Sequence, residues 1–365
     1  MSANAASVLM VGSVPAESAE EVFRTLGPSL GDLLIGISDG EPGYRNKWIV
    51  FNAPHVFEPN PGLQATNKPK PNRDKSVYRE LEDWVPTSWE EMWRFRVKEG
   101  VEEVSFPTLH YSEFAHDSYD TFQRLRAAGV IPKGPKFQVS LPFPEDFTRW
   151  CTGTERDFTI MSRGVEAALG REIDQIVQAI PNEDLAIQWD VCWEVFACDK
   201  SDYMGHEPLA FRGAGDPFER FMGYIRRLSP RIPESVLLGM HLCYGDLEHT
   251  HLFEPKDLSV VVRMANLAVA EAGRRFDFVH MPVPRNRADD AYFVPLHDLK
   301  IGNTKLFIGL VHLTDGTNGS LQRLATFKRH YNGPSGVATE CGWGRRKAET
   351  LPALLKVHRE VAAAI

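Results

Sequence analysis

Short apolar, β-branched runs recur along this chain, and between them lie longer segments in which apolar residues return every three or four positions. The first pattern is that of a buried strand, the second that of an amphipathic helix. Eight runs read as strands, at 7–13, 33–38, 136–141, 185–190, 236–242, 277–282, 305–312 and 336–341. Helices fit 17–27, 117–129, 155–180, 216–228, 257–273, 318–330 and 345–363. Two helix starts carry explicit signals. Ser18 is a candidate N-cap with Glu21 three positions on, a capping box. Asp216-Pro217 places a cap ahead of proline at the first helical position. Strands alternating with helices pair in parallel through right-handed crossovers. Eight such units in 365 residues predict an α/β fold, a (β/α)8 TIM barrel, as a single domain over 1–365. A doubly wound open sheet is the alternative. Gly12-Ser13-Val14-Pro15 lacks the glycine spacing of a phosphate-binding loop, and no internal repeat is evident.

One stretch breaks the rhythm. Residues 39–116, rich in Pro, Trp and Asn, form a long insertion after the second strand. Loops of that length in compact domains are usually functional. Following a strand's C-terminal end, it would lie on the catalytic face of a barrel, as a cap or as an arm for a homodimer. A plain surface elaboration fits it equally well.

Composition narrows the class. Hydrophobic residues make up 43% and charged residues 25%, as in ordinary soluble proteins. A net charge of -8 without a basic run argues against nucleic acid as a partner. No apolar stretch approaches the roughly 20 residues of a membrane-spanning helix, so no membrane partner is expected. The segment Met1–Ala6 lacks the basic and apolar regions of a signal peptide. Five cysteines, an odd and sparse count, fit a reducing, cytoplasmic setting in which thiols are core residues or ligands.

In such a barrel the chemistry sits where strands end. The predicted strand ends supply Asp39, Gly40 and Glu41; Gln188 and Asp190; His241 and Cys243; His280; His312, followed by Asp315; and Glu340 and Cys341. His241 and Cys243 are two apart and share one face of an extended strand. With Cys341 they form a nitrogen-and-sulfur set suited to zinc. Three protein ligands leave a fourth position open, the catalytic rather than the structural arrangement. Cys151, Cys192 and Cys198 read as small core residues.

Three segments carry a resemblance: Ile187-Gln188-Trp189-Asp190, Met240-His241-Leu242-Cys243-Tyr244 and Glu340-Cys341-Gly342. Over most of its length, roughly from Val8 onward, the chain resembles the C-terminal catalytic barrel of cobalamin-independent methionine synthase. The wider group includes epoxyalkane:coenzyme M transferase and the uroporphyrinogen decarboxylase-like barrels. The segment from Asp39 to Ile49 looks like a mark of short, stand-alone members. The full synthase has two barrels, and this chain has room for one.

The resemblance implies a zinc ion held by His241, Cys243 and Cys341. The family's fourth ligand is a glutamate near the end of strand six, where Pro282 stands here. His280, two residues earlier, is a candidate substitute or a substrate contact. The family's zinc takes the thiol of an acceptor as a thiolate, which attacks an electrophilic carbon: a folate methyl in the synthase, an epoxide in the coenzyme M enzyme. Asp190 matches the aspartate that holds the amino group of homocysteine. The Glu-Pro that follows it in the family is replaced by Val191-Cys192.

The insertion adds candidate substrate contacts. Glu41, Arg45 and Trp48 lie early in it, with Tyr44 beside them and Trp84, Trp89 and Trp93 later. An arginine can clamp a carboxylate or sulfonate, and aromatic rings offer an apolar wall. Packing of the insertion's own small core accounts for the tryptophans equally well, and Arg345 and Arg346 read as a solvated helix start. Four functional readings stand side by side. The first is a zinc-dependent transferase moving a methyl or alkyl group to a small-molecule thiol. The second is a zinc lyase or hydrolase with His280, His312 or Glu340 as general base. The third is a metal-free decarboxylase-like barrel. The fourth is a binding scaffold, which the clustered polar strand ends disfavour because buried polar groups are costly unless used.

Overall fold

The computed structural model describes residues 7–68, 92–199, 213–245 and 254–365. Among these lie nine strands: β1 (Gly36–Ser38), β2 (Leu63–Asn67), β3 (Arg94–Val97), β4 (Lys136–Pro142), β5 (Leu185–Val191), β6 (Leu237–Leu242), β7 (Phe278–Pro282), β8 (Lys305–Val311) and β9 (Ser335–Thr339). The α-helices are α1 (Ala19–Leu30), α2 (Tyr111–Ala127), α3 (Pro144–Thr148), α4 (Glu155–Ala179), α5 (Trp193–Asp199), α6 (Pro217–Leu228), α7 (Ser259–Glu271), α8 (Asp290–Phe293), α9 (Gly316–His330) and α10 (Leu351–Ala362). Seven strands make one parallel sheet in the order β1-β4-β5-β6-β7-β8-β9, and β2 and β3 pair separately as an antiparallel hairpin.

The sheet curls. Val8 forms parallel bridges to Leu34, just ahead of β1, and to Val337 in β9. The amide of Ile35 donates to Val8 O, and that of Leu9 to Val337 O. Both edges of the sheet therefore flank one short segment, and the fold is TIM-barrel-like. The run at 7–13 pairs only through these bridges, because beyond Leu9 its backbone leaves the ladder.

Helix starts follow local chemistry. Ser18 Oγ accepts from the Glu21 amide at 3.2 Å, as the capping box predicts. Thr154 caps α4 by accepting from Asp157 N, and Asp216 caps α6 from Phe218 N, with Pro217 next. Two helix starts lie six residues from the sequence reading. The helix expected from 117 begins at Tyr111, after His110 turns the chain in a left-handed conformation. The helix expected from 345 begins at Leu351, where Pro352 occupies the first turn. The insertion thus gives up its last residues to α2, and its described part contains a 3-10 helix over Gly43–Phe51, a π-helical turn and the β2-β3 hairpin.

Inside the curled sheet, Leu9, Val11, Ile35, Phe278, Phe307 and Ala338 form a core of their own, apart from the larger core under the helices. The rings of Phe278 and Phe307 meet edge to face at 5.9 Å. Each fills the space above a glycine: a Cβ on Gly239 would lie 2.0 Å from Phe278 Cζ, and one on Gly336 would lie 2.4 Å from Phe307 Cε1. Large residues on one strand need small ones on the next for the interior to close. Gly239→Ala is therefore expected to lower stability by about 1–3 kcal/mol through overpacking, read as a fall in the urea midpoint at unchanged slope.

Candidate functional site

Parallel pairing aligns the chemistry. In the ladder Pro142 pairs with Asp190, Asp190 with His241, and His241 with His280. These residues stand in one row at the C-terminal ends of β4 to β7, so the side chains of Asp190, His241 and His280 start from the same level of the sheet. Two residues past His241, Cys243 shares its face, and Cys341 follows the end of β9.

The three predicted metal ligands come together. Their donor atoms all lie within 4.8 Å of one another, and among the described residues this is the one such group. Cys243 Sγ is 3.7 Å from Cys341 Sγ, and Cys341 Sγ is 3.8 Å from His241 Nε2. Two thiolates on a tetrahedral zinc, each at about 2.3 Å, stand about 3.8 Å apart, so the residues present fit that ion. The sulfur of Cys243 also accepts from the Gly245 amide at 3.2 Å. Without a cation the Cys243 thiol is pushed well above its ordinary range, first by its hydrogen bond with Cys192 and further by burial. A bound cation reverses that preference. Burial, and after it the neighbouring His280, holds His241 well below the usual histidine range, so its ring is neutral and able to ligate.

The loop that delivers Cys341 is tightly seated. Trp343 N donates to Ser13 O at 2.7 Å, and Gly344 N to Ser13 Oγ at 3.2 Å. A Cβ on Gly342 would fall 2.4 Å from Ser13 Oγ. Only glycine lets this turn lie against the segment after Val8, and that contact fixes where Cys341 emerges.

A cavity opens over the ligands. Its walls include Glu41, Trp48, Asp190, Cys192, Gly342 and Arg345 as well as the three ligands. Asp190 Oδ1 accepts from Gln188 Nε2 at 2.8 Å, and Trp48 also donates to this carboxylate. Burial raises Asp190 to about 7. Glu41 rises to about 8, first through burial and then through repulsion from Asp190. The two acids thus face one space and oppose each other's charge. Glu41 and Trp48 both have left-handed backbones, with φ of 55 and 56°. Such outliers in side-chain-bearing residues cost about 1–3 kcal/mol each and cluster at working sites.

Other candidates are placed elsewhere. Arg45, read as an anion clamp, binds Asp39 at 2.7 Å, and Asp39 also accepts from Ser118 Oγ at 2.8 Å. Burial alone would raise Asp39, but Arg45's charge and hydrogen bond outweigh it and hold the acid below its usual range. The guanidinium of Arg45 also lies 4.3 Å over the Phe114 ring, in an adjoining pocket that shares Glu41 and Trp48. His280 sits behind His241, with one ring nitrogen 2.7 Å from His241 Nδ1 and the other 2.9 Å from Thr339 O. It is outside the three-residue ligand group, and both of its nitrogens are engaged. His312 faces Glu340 at 3.5 Å and bonds Val283 O at 2.8 Å. Neither His312 nor Glu340 is among the residues lining the cavity. Trp93 stacks on Phe95 within the hairpin, while Trp84 and Trp89 lie outside the described residues.

Two cavity residues escaped the sequence reading. Cys192 reads from sequence as core filler, yet its thiol meets that of Cys243. Arg345, taken as solvated, reaches the same wall as Cys341. The signal for Cys192 lay in its position one residue past a strand end.

No protein-family model matches the chain, and no curated protein matches it in sequence. Solved structures do match in fold. A B12-independent methionine synthase from Shewanella sp. W3-18-1, in complex with selenomethionine, superposes with a TM-score of 0.59 at 13% identity, covering 98% of this chain and 97% of that one. A provisionally assigned vitamin-B12-independent methionine synthase from Listeria monocytogenes gives a TM-score of 0.54 at 12% identity, covering 95% of this chain and 87% of that one. At these identities the likeness is one of fold. No described helix is long and apolar enough to cross a membrane.

The raised Glu41 has a consequence for stability. The folded chain holds the acid protonated to about 8, whereas the unfolded chain ionises it near 4.5. Stability is therefore full below about 4.5 and is lost as pH rises to about 8. Glu41→Gln should melt higher than the unaltered chain, with a gap of a few degrees that widens across that window and then levels off. Melting curves from pH 4 to 9 read this directly, and a gap independent of pH would reject the assignment.

Proposed function

We propose that this chain is a zinc-dependent transferase that activates a small-molecule thiol for methyl or alkyl transfer. The observation that carries the reading is the approach of His241, Cys243 and Cys341, with sulfurs 3.7 Å apart, at the floor of a cavity walled by the buried Asp190 and the half-buried Glu41. The methionine synthase-like fold supports the same reading. On it, the fold is a (β/α)8 barrel in a single domain, closed between its two edge strands by the short segment around Val8. The insertion, which brings Glu41 and Trp48 to the cavity, serves as its cap.

His241 Nε2, Cys243 Sγ and Cys341 Sγ would hold the ion and leave a position open toward the cavity. When bound there, zinc supplies the positive charge that makes a thiol ionise near neutral pH. The remaining work belongs to the chain. Asp190 and Glu41 oppose each other's ionisation, so a cationic amino group between them would let both ionise and would orient the thiol-bearing substrate. Trp48 and Gln188 fix the Asp190 carboxylate by donating to it. Trp48 also supplies an apolar wall, which keeps water from the reacting sulfur.

The lyase or hydrolase reading has less support. His280 has no free nitrogen, and His312 and Glu340 are not among the cavity lining. In the decarboxylase-like reading an arginine clamp would fall to Arg345, which lines the cavity, since Arg45 is paired with Asp39, and the clustered histidine and two thiols would be without a role.

Metal analysis tests the proposal. The purified chain should carry about one zinc, while Cys243→Ser and Cys341→Ser each lose it and keep their circular dichroism. Full zinc retention in both variants would sink the metal assignment.

A further inference from the structure

A ring that binds metal through one nitrogen needs its other nitrogen held. His241 presents Nε2 toward Cys341, so Nδ1 must carry the proton. That nitrogen lies 2.7 Å from His280 Nδ1. The far nitrogen of His280, Nε2, lies 2.9 Å from the carbonyl oxygen of Thr339, which can only accept. His280 is fully buried. A neutral His280 donating from Nε2 has a bare Nδ1, and that bare nitrogen accepts the proton of His241. The chain of bonds thus runs in one direction, His241 to His280 to Thr339.

The path is built into the sheet. His280 lies on β7, His241 on β6 and Thr339 on β9, so the ring must reach across β8. It passes at Gly309. A Cβ there would stand 2.7 Å from His280 Nε2 and 2.9 Å from Thr339 O. Any side chain would therefore break the bond. Thr339 is itself tied forward: its hydroxyl donates to Cys341 O at 2.6 Å and accepts from Trp343 Nε1 at 2.8 Å. The bonds consequently join β6, which carries His241 and leads into Cys243, to the residue two before Cys341.

We propose that His280 is a positioning residue for the metal centre: it fixes the tautomer of His241 so that Nε2 faces the cavity, and it couples the two ligand-bearing strands through Thr339. This rests on the zinc reading above. The ligand set is then His241, Cys243 and Cys341, and His280 stands one bond behind it.

The test is zinc affinity by chelator competition, with cobalt substitution as a spectroscopic count of thiolates, on the full chain and two variants. Affinities are referred to the folded fraction measured by circular dichroism. His280→Ala removes both bonds and should weaken zinc by about 10–100-fold, while the cobalt-loaded form keeps its full thiolate band. His280→Gln offers an amide oxygen to His241 and an amide N–H to Thr339, and should bind zinc within several-fold of the unaltered chain. Unchanged affinity in His280→Ala would overturn the positioning role. Loss in His280→Gln as deep as in His280→Ala would overturn it too, because that is the mark of a direct ligand. Failure of the underlying reading is distinguishable, since the unaltered chain itself would then take up no zinc.

Discussion

Parallel strand pairing sets Asp190, His241 and His280 at one level of the sheet, and every other feature of the site is arranged around that row. Neighbouring strands lie about 4.8 Å apart, so groups on adjacent strands at one level meet within hydrogen-bonding range. His241 and His280 do so directly. Asp190, one strand over in the other direction, faces the cavity instead, where Glu41 and Trp48 close on it from the insertion. The row is thus divided: at one end His280 bonds to His241, and at the other Asp190 faces the cavity.

The second constraint is the cost of burying polar groups. Asp190, His241, His280 and Cys243 are buried and Glu41 is half-buried, and each in isolation would destabilise the fold. The histidines meet it by hydrogen bonding to each other and to Thr339. The acids meet it by keeping their protons to about 7 and about 8. The thiols meet it by bonding among themselves. A cation at the thiols and an amino group at the acids would relieve two of these three tensions. Strained backbones at Glu41 and Trp48 add to the same picture of a site held away from its own optimum.

Close packing supplies the precision. Gly239 and Gly336 admit the phenylalanines that fill the sheet's interior, Gly309 admits the His280 bond, and Gly342 and Gly344 let the Cys341 turn lie on Ser13. Three separate jobs are done by absent side chains, each where a Cβ would stand under 3.0 Å from its neighbour.

Periodicity alone was enough for most of the fold, because apolar runs and helical faces report burial directly; α4 begins and α9 ends where the sequence pattern places them. That His241 and Cys243 would face one point was also legible, since two residues apart on a strand share a face whatever the rest of the chain does. Contacts between distant segments were not. Nothing in the order of residues says that Arg45 is consumed by Asp39, that Cys192 reaches Cys243, or that His280 meets His241 on the next strand and reaches Thr339 past Gly309. Local pattern determines which face a residue occupies. Only strand register, the curl of the sheet and the close packing between strands decide which faces meet, and a hydrogen bond depends on tenths of an ångström that no pattern encodes.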